Sequence, residues 1–173
     1  MSANSIIRLE TALGAIDVAL DPDRAPVTVA NFLRYLDGGF YDGGRFHRTV
    51  KPDNQPDNDV RIEVIQGGVN PERAAETGPP IELERTTLTG LAHRDGTISM
   101  ARFTPDSAVS DFFFCIGDQP ELDFGGARNP DGQGFAAFGQ VIAGMDTVKQ
   151  IQQSPAEAQG LTPPITITAA RRL

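Results

Sequence analysis

The chain has 173 residues, 39% of them hydrophobic, which is enough for one globular domain, 1–173, with a sizeable core. Lys and Arg total 15 against 23 Asp and Glu; the resulting charge of −8 argues against nucleic-acid binding, and no apolar run is long enough to span a bilayer. A lone cysteine, Cys115, excludes an intrachain disulfide and, lying inside the run Phe112 to Ile116, reads as a buried thiol.

Met1 to Ser5 lacks the basic and hydrophobic regions of a secretory signal, so the expectation is cytoplasmic, or periplasmic if a signal was removed upstream. Ile6 to Glu10 and Ile16 to Leu20 read as two strands about a turn at Leu13-Gly14. Pro26 opens a helix whose apolar residues Val29, Phe32, Leu33 and Leu36 recur at helical spacing, and Gly38-Gly39 ends it. Short apolar segments follow at 44–50, 61–67, 97–102, 111–116 and 135–142, separated by loops rich in Pro, Gly, Asp and Asn. A second helix is predicted over 145–153, and a last strand at Ile165 to Thr168. Many strands, two helices and no βαβ rhythm suggest a closed antiparallel barrel.

Five short segments stand out: Phe46-His47-Arg48, Gln66-Gly67-Gly68, Gly96 to Arg102, Asp111 to Cys115 and Phe138-Gly139. In this order they closely resemble the cyclophilin family of peptidyl-prolyl cis–trans isomerases, as do Val29 to Leu33, Gly39 to Gly43 and Phe138 to Met145. The resemblance covers nearly the whole chain. It implies an all-β-dominated fold, a closed eight-stranded antiparallel β-barrel capped by two α-helices. It also implies isomerisation of X–Pro bonds in proline-containing peptides and unfolded protein segments, as a monomer assisting folding.

Rotation about an X–Pro bond is slow because amide resonance holds it planar. Accelerating it requires no nucleophile, general base, metal or cofactor. The proline ring must be held, its flanking backbone bound, and the twisted amide favoured by a donor near the prolyl nitrogen. The resemblance assigns that donor role to Arg48, always charged and rich in donors, with Gln66 binding substrate backbone and bracing the arginine. It makes Phe113 the floor of a proline pocket and Leu122 its aliphatic wall. In a strand, Phe112 and Phe114 point opposite to Phe113 and into the core. The two histidines, His47 and His93, have no metal-ligand spacing; His47, alternating with Arg48, reads as structural. The acidic stretch Asp53 to Asp59 lacks the pattern of a calcium loop and reads as solvated.

Several groove positions depart from the family pattern. Val64 and Glu63 fall at apolar pocket positions, Glu121 replaces a tryptophan tied to tight cyclosporin binding, Arg102 replaces an asparagine, Asp111 a glutamine, and Phe135 a histidine. Weak cyclosporin binding is the expectation. Ala101 and Arg102 are expected to border the substrate backbone. The charge of Arg102 at the rim predicts a preference for an acidic residue before proline, with Glu63 and Glu121 placing negative charge on the proline-pocket side. Asp111 is expected either to orient Arg48 or to pair with Arg102. Two insertions, about 51–60 and 124–130, adjoin the groove. The alternative is a weakly active or non-catalytic proline-peptide-binding module, favoured by Glu63, Arg102 and Glu121.

Overall fold

The computed structural model describes residues 5–173; the first four residues of the expected domain lie outside the described residues. A hairpin opens the chain: β1 (Ser5–Thr11) and β2 (Gly14–Leu20) turn at Gly14, whose φ of +138° suits glycine. Across it Arg8 sits opposite Asp17, and the two form a bidentate pair at 2.7 and 2.9 Å. Helix α1 (Pro26–Asp37) follows; its N-terminal amides, which lack partners within the helix, are capped not by a neighbour but by the carboxylate of Glu84, which accepts from Thr28 N–H and Oγ1, both at 2.6 Å.

Next come β3 (Arg45–Val50) and β4 (Val64–Gly68), then α2 (Thr86–Thr89), a single turn ended by Gly90 in the left-handed region. Strands β5 (Thr97–Met100), β6 (Phe112–Cys115) and β7 (Ala137–Ala143), helix α3 (Met145–Gln152), β8 (Ala156–Glu157) and the long β9 (Gly160–Arg172) complete the chain. Hydrogen bonding runs β1-β2-β7-β5-β6-β4-β3-β9, all antiparallel, and β9 returns to β1, closing an eight-stranded barrel; β8 is a short extra strand on β9. The last strand is thus far longer than its Ile-Thr alternation indicates, since Pro163 and Pro164 interrupt the pattern without ending the strand.

Alternation along β6 divides the interior in two. Phe112 and Phe114 point into the barrel, where they join Phe32, Tyr41, Phe46 and Phe138 in an aromatic cluster of mostly edge-on contacts. Phe113 and Cys115 point outward into a second apolar cluster with Val50, Ile62, Val64 and Leu122, backed by Ala101 and Phe135. That outer cluster is the floor of the site. No described helix is long and apolar enough to cross a membrane.

Candidate active site

A cleft of about 590 Å³ lies over the outer cluster. Its floor is Phe113, meeting Phe135 edge-on with ring centroids 5.4 Å apart, and its walls are Val64 and Leu122. Ile62, two residues before Val64, also lines it, whereas Glu63 turns away and accepts from Gln152 Nε2 at 3.1 Å. The apolar position expected at Glu63 is therefore filled by Ile62, one residue earlier. Behind the floor, the buried His93 ring stacks on Phe113 at 6.1 Å and 11°, anchored by Asp123 through Nδ1 (2.7 Å) and by Ser99 through Nε2 (2.8 Å). Burial pushes the Asp123 carboxyl up, but the hydrogen bonds from His93 outweigh it and hold the group below its ordinary value. Sequence reasoning gave His93 no part here; a histidine without metal-ligand partners carries no signal of what it stacks on.

Arg48 and Gln66 face the same cleft. Arg48 Nη1 donates to Gln66 Oε1 (3.0 Å) and Arg48 Nε to Gln159 Oε1 (2.9 Å). Gln66 Nε2 in turn donates to Asp111 Oδ2 at 3.1 Å, and the same oxygen accepts from His47 Nε2 at 3.2 Å. Asp111 thus binds neither Arg48 nor Arg102; it fixes the amide of Gln66 so that the carbonyl end faces the arginine. Burial lowers the pKa of Arg48 from the usual arginine value, though an arginine keeps its charge. The two glycines after Gln66 are required by close approach rather than by a turn. A Cβ at Gly67 would sit 2.9 Å from the Phe46 ring, and one at Gly68 would collide with Asp111 Oδ1.

The reading of His47 as pointing away from Arg48 is corrected by a bulge. Phe46 pairs with Gly67 and Arg48 with Gln66, so His47 is an extra residue in β3 and alternation breaks there. His47 and Arg48 therefore both reach the Gln66–Asp111 network.

Arg102 is also corrected. Its side chain is 1% exposed: Nη1 and Nη2 pair with Asp131 at 2.9 and 3.1 Å, Nε donates to Gly134 O at 2.9 Å, and the guanidinium lies 4.9 Å over the Phe135 ring. Its charge is neutralised beneath the rim, holding the carboxyl of Asp131 below the ordinary value, and offers no handle on a substrate carboxylate. Its backbone and Ala101, whose N–H donates to Asp111 O at 3.0 Å, still border the cleft. Glu121 likewise turns outward to accept from Ala127 N–H at 3.1 Å.

The two insertions meet at the cleft. Arg128 Nη1 donates to Gln55 Oε1 (2.7 Å) and Val60 O (2.6 Å), while Gln55, 2% exposed, also donates to Lys51 O and Ile62 O. The first insertion is therefore a folded Ω-like loop with a buried glutamine rather than a solvated one. Asn58, Arg128, Asn129 and Pro130 extend the wall. Among the described residues, no group of three or more His, Cys, Asp or Glu is placed to hold a metal ion.

The chain thus forms a closed antiparallel barrel carrying an outer cleft with an apolar floor and an arginine braced by side-chain amides. The family is equally clear: the family model for cyclophilin-type peptidyl-prolyl cis–trans isomerase/CLD matches residues 6–172, and this chain belongs to that family. Relatives include a peptidyl-prolyl cis–trans isomerase of Acinetobacter baylyi, 35% identical over 92% of this chain and 78% of its own length. Peptidyl-prolyl cis–trans isomerase A of Dickeya dadantii is 37% identical, over 89% and 74%. Isomerase B of Escherichia coli is 35% identical, over 85% and 84%. A crystal structure of a cyclophilin-type isomerase from Cryptosporidium parvum has the same fold, with a TM-score of 0.79 at 22% identity, covering 99% of this chain and 98% of that one. The chain is a peptidyl-prolyl cis–trans isomerase.

Proposed function

We propose that Arg48 is the catalytic donor and Gln66 its brace and a substrate-backbone contact. In this reading the proline ring sits on Phe113 between Val64, Ile62, Leu122 and Phe135, and the residue before it runs along Ala101 and the Arg102 backbone. The observation that carries the reading is the aim of Arg48 over the apolar floor, with Nε and Nη1 taken by neutral amide oxygens. Its Nη2 is left for the substrate. As the amide twists, resonance is lost, the prolyl nitrogen gains a lone pair, and a positioned guanidinium stabilises that state more than the planar one. Asp111 and His47 act through Gln66 as positioning residues.

The ligand class is proline-containing peptide, and flexible or unfolded segments are its protein source. A similarly folded cyclophilin-type isomerase from Cryptosporidium parvum was crystallised in the presence of the dipeptide ala-pro, which supports this class. Assistance to folding follows from the chemistry. Cyclosporin should bind weakly because Glu121 brings no apolar surface to the cleft, and the net charge of −8 favours a monomer and opposes nucleic acid. The features that favoured a non-catalytic module lose their weight, since Glu63 and Glu121 turn away and Arg102 is ion-paired.

The test is a protease-coupled isomerase assay on a short Ala-Pro peptide. Arg48→Ala should lower kcat/KM by about a hundredfold, close to 3 kcal/mol of transition-state stabilisation, with an unchanged circular dichroism spectrum. A folded variant within twofold of wild type would remove Arg48 from the mechanism.

A further inference from the structure

We propose that Arg128 selects substrates by binding a carboxylate on the residue that follows the proline. This deepens the reading of the groove just given and rests on it. Arg128 comes from the second insertion and is fixed by the first: both its acceptors, Gln55 Oε1 and Val60 O, are neutral, as are the acceptors of Arg48 on Gln66 and Gln159. Two guanidiniums thus line one cleft with no carboxylate among their bonded partners, in a molecule whose net charge is −8. The other charges on the cleft wall are already committed. Arg102 is closed by Asp131, and Asp111 is held by His47 and Gln66.

Arg128 is also pre-organised. Gln55 is buried and bonded at both ends of its amide, so a ligand meets a guanidinium that has little rotamer freedom left to lose. Its half-buried setting and the nearness of Arg48 and Arg61 lower its proton affinity, the signature of a cation short of countercharge. A carboxylate would supply that charge through the unused face of the fork.

Position along the substrate follows from the floor. Gln55 joins Arg128 to Ile62, so Arg128 stands at the Ile62 side of the proline pocket, while the residue before proline is assigned to the Ala101–Arg102 edge. What remains for Arg128 is the residue after proline. The carboxylate is that of an acidic side chain there, or the chain terminus when that residue is last.

The experiment compares Ala-Pro-Glu, Ala-Pro-Gln and Glu-Pro-Gln in otherwise identical amidated peptides, with a fourth ending in a free carboxylate after Pro-Gln. Exchange NMR reads isomerisation and chemical-shift titration reads binding. Wild type should favour Ala-Pro-Glu over Ala-Pro-Gln by about five- to tenfold at low ionic strength, less in high salt. In Arg128→Gln that ratio should fall to about one, and in Arg128→Lys, which keeps charge without the fork, it should be intermediate. Each ratio is taken within one variant, so a change in stability cancels. The free-terminus peptide should also gain over its amidated counterpart in wild type and lose that gain in Arg128→Gln. A wild-type ratio of one, a ratio that survives Arg128→Gln, or an equal gain for Glu-Pro-Gln would overturn the proposal. Failure of the groove reading looks different: Arg48→Ala keeps full turnover, while the binding ratio still reports on Arg128.

Discussion

Arg102 and Arg128 stand beside the same apolar floor, yet one guanidinium is closed by a carboxylate and the other is bonded only to amide and carbonyl oxygens. Nothing in sequence spacing separates the two cases, because Asp131 lies in a distant loop and reaches Arg102 only after the chain folds back. The same limit applies to Glu63 and Glu121. Each points away from the cleft toward a partner that a one-dimensional alignment does not reveal, and Ile62 takes the pocket place expected at Glu63. Arg48, Gln66, Val64, Phe113, Leu122 and Phe135, which all line the cleft, were named from the motif order; only Gln66, Val64 and Phe113 lie on strands of regular alternation, while Arg48 follows the β3 bulge and Leu122 and Phe135 lie outside the strands. Cys115 belongs with these. It is fully buried beneath the floor, and burial pushes its thiol well above the usual range. An aromatic disulfide reagent should leave Cys115 unmodified in the native protein on the timescale in which it reacts completely in denaturant; rapid native reaction would place the thiol at the surface.

At the scale of elements, the bulge in β3 and the paired insertions matter most. A single extra residue at His47 moves two consecutive side chains to one network, and periodicity alone cannot foresee it, since no Gly or Pro marks the place. The first insertion read as solvated, which is true of its surface, but Gln55 ties it down from within. The short α2 and β8 were missed because elements of 4 and 2 residues are too brief to show a period. The insertion also reaches Arg48: Gln159 Nε2 donates to Asn54 O at 3.0 Å while Gln159 Oε1 accepts from Arg48. On the role proposed for Arg48, Gln159 acts as a positioning residue. Gln159→Ala should lower kcat about tenfold with KM nearly unchanged, whereas Gln159→Glu, which keeps an acceptor, should recover most of the loss. A KM effect without a kcat effect, measured on the same Ala-Pro peptide, would assign Gln159 to binding instead.

For the whole molecule, the carboxyls set the response to acid. Hydrogen bonds from Arg8, Arg172 and Arg102 hold Asp17, Asp37 and Asp131 below their ordinary pKa, and His93 does the same for Asp123 against the effect of burial. Groups depressed in the folded state add stability that is complete above their unfolded pKa, about 3.9, and is lost as pH falls through the lower folded values. Above that window, the net charge of −8 is relieved as exposed carboxylates protonate. Thermal unfolding should therefore show a Tm that is level or slightly rising from pH 7 to about 5 and then falls below about 4. A Tm that keeps rising below pH 4 would mean that these pairs do not stabilise the fold.

The closing strand has a consequence for how the molecule is made. Leu9 pairs with Ala170 and Phe46 with Ile165, so β9 stitches the first strand to the third across almost the entire chain. Contacts so distant in sequence form late, because the intervening chain must first be brought together. On the ribosome β1 and β3 wait with bare edges until β9 emerges, and only then does the sheet become a ring. A catalyst of other chains' folding is thus, during its own synthesis, an unfinished client with two open edges to protect.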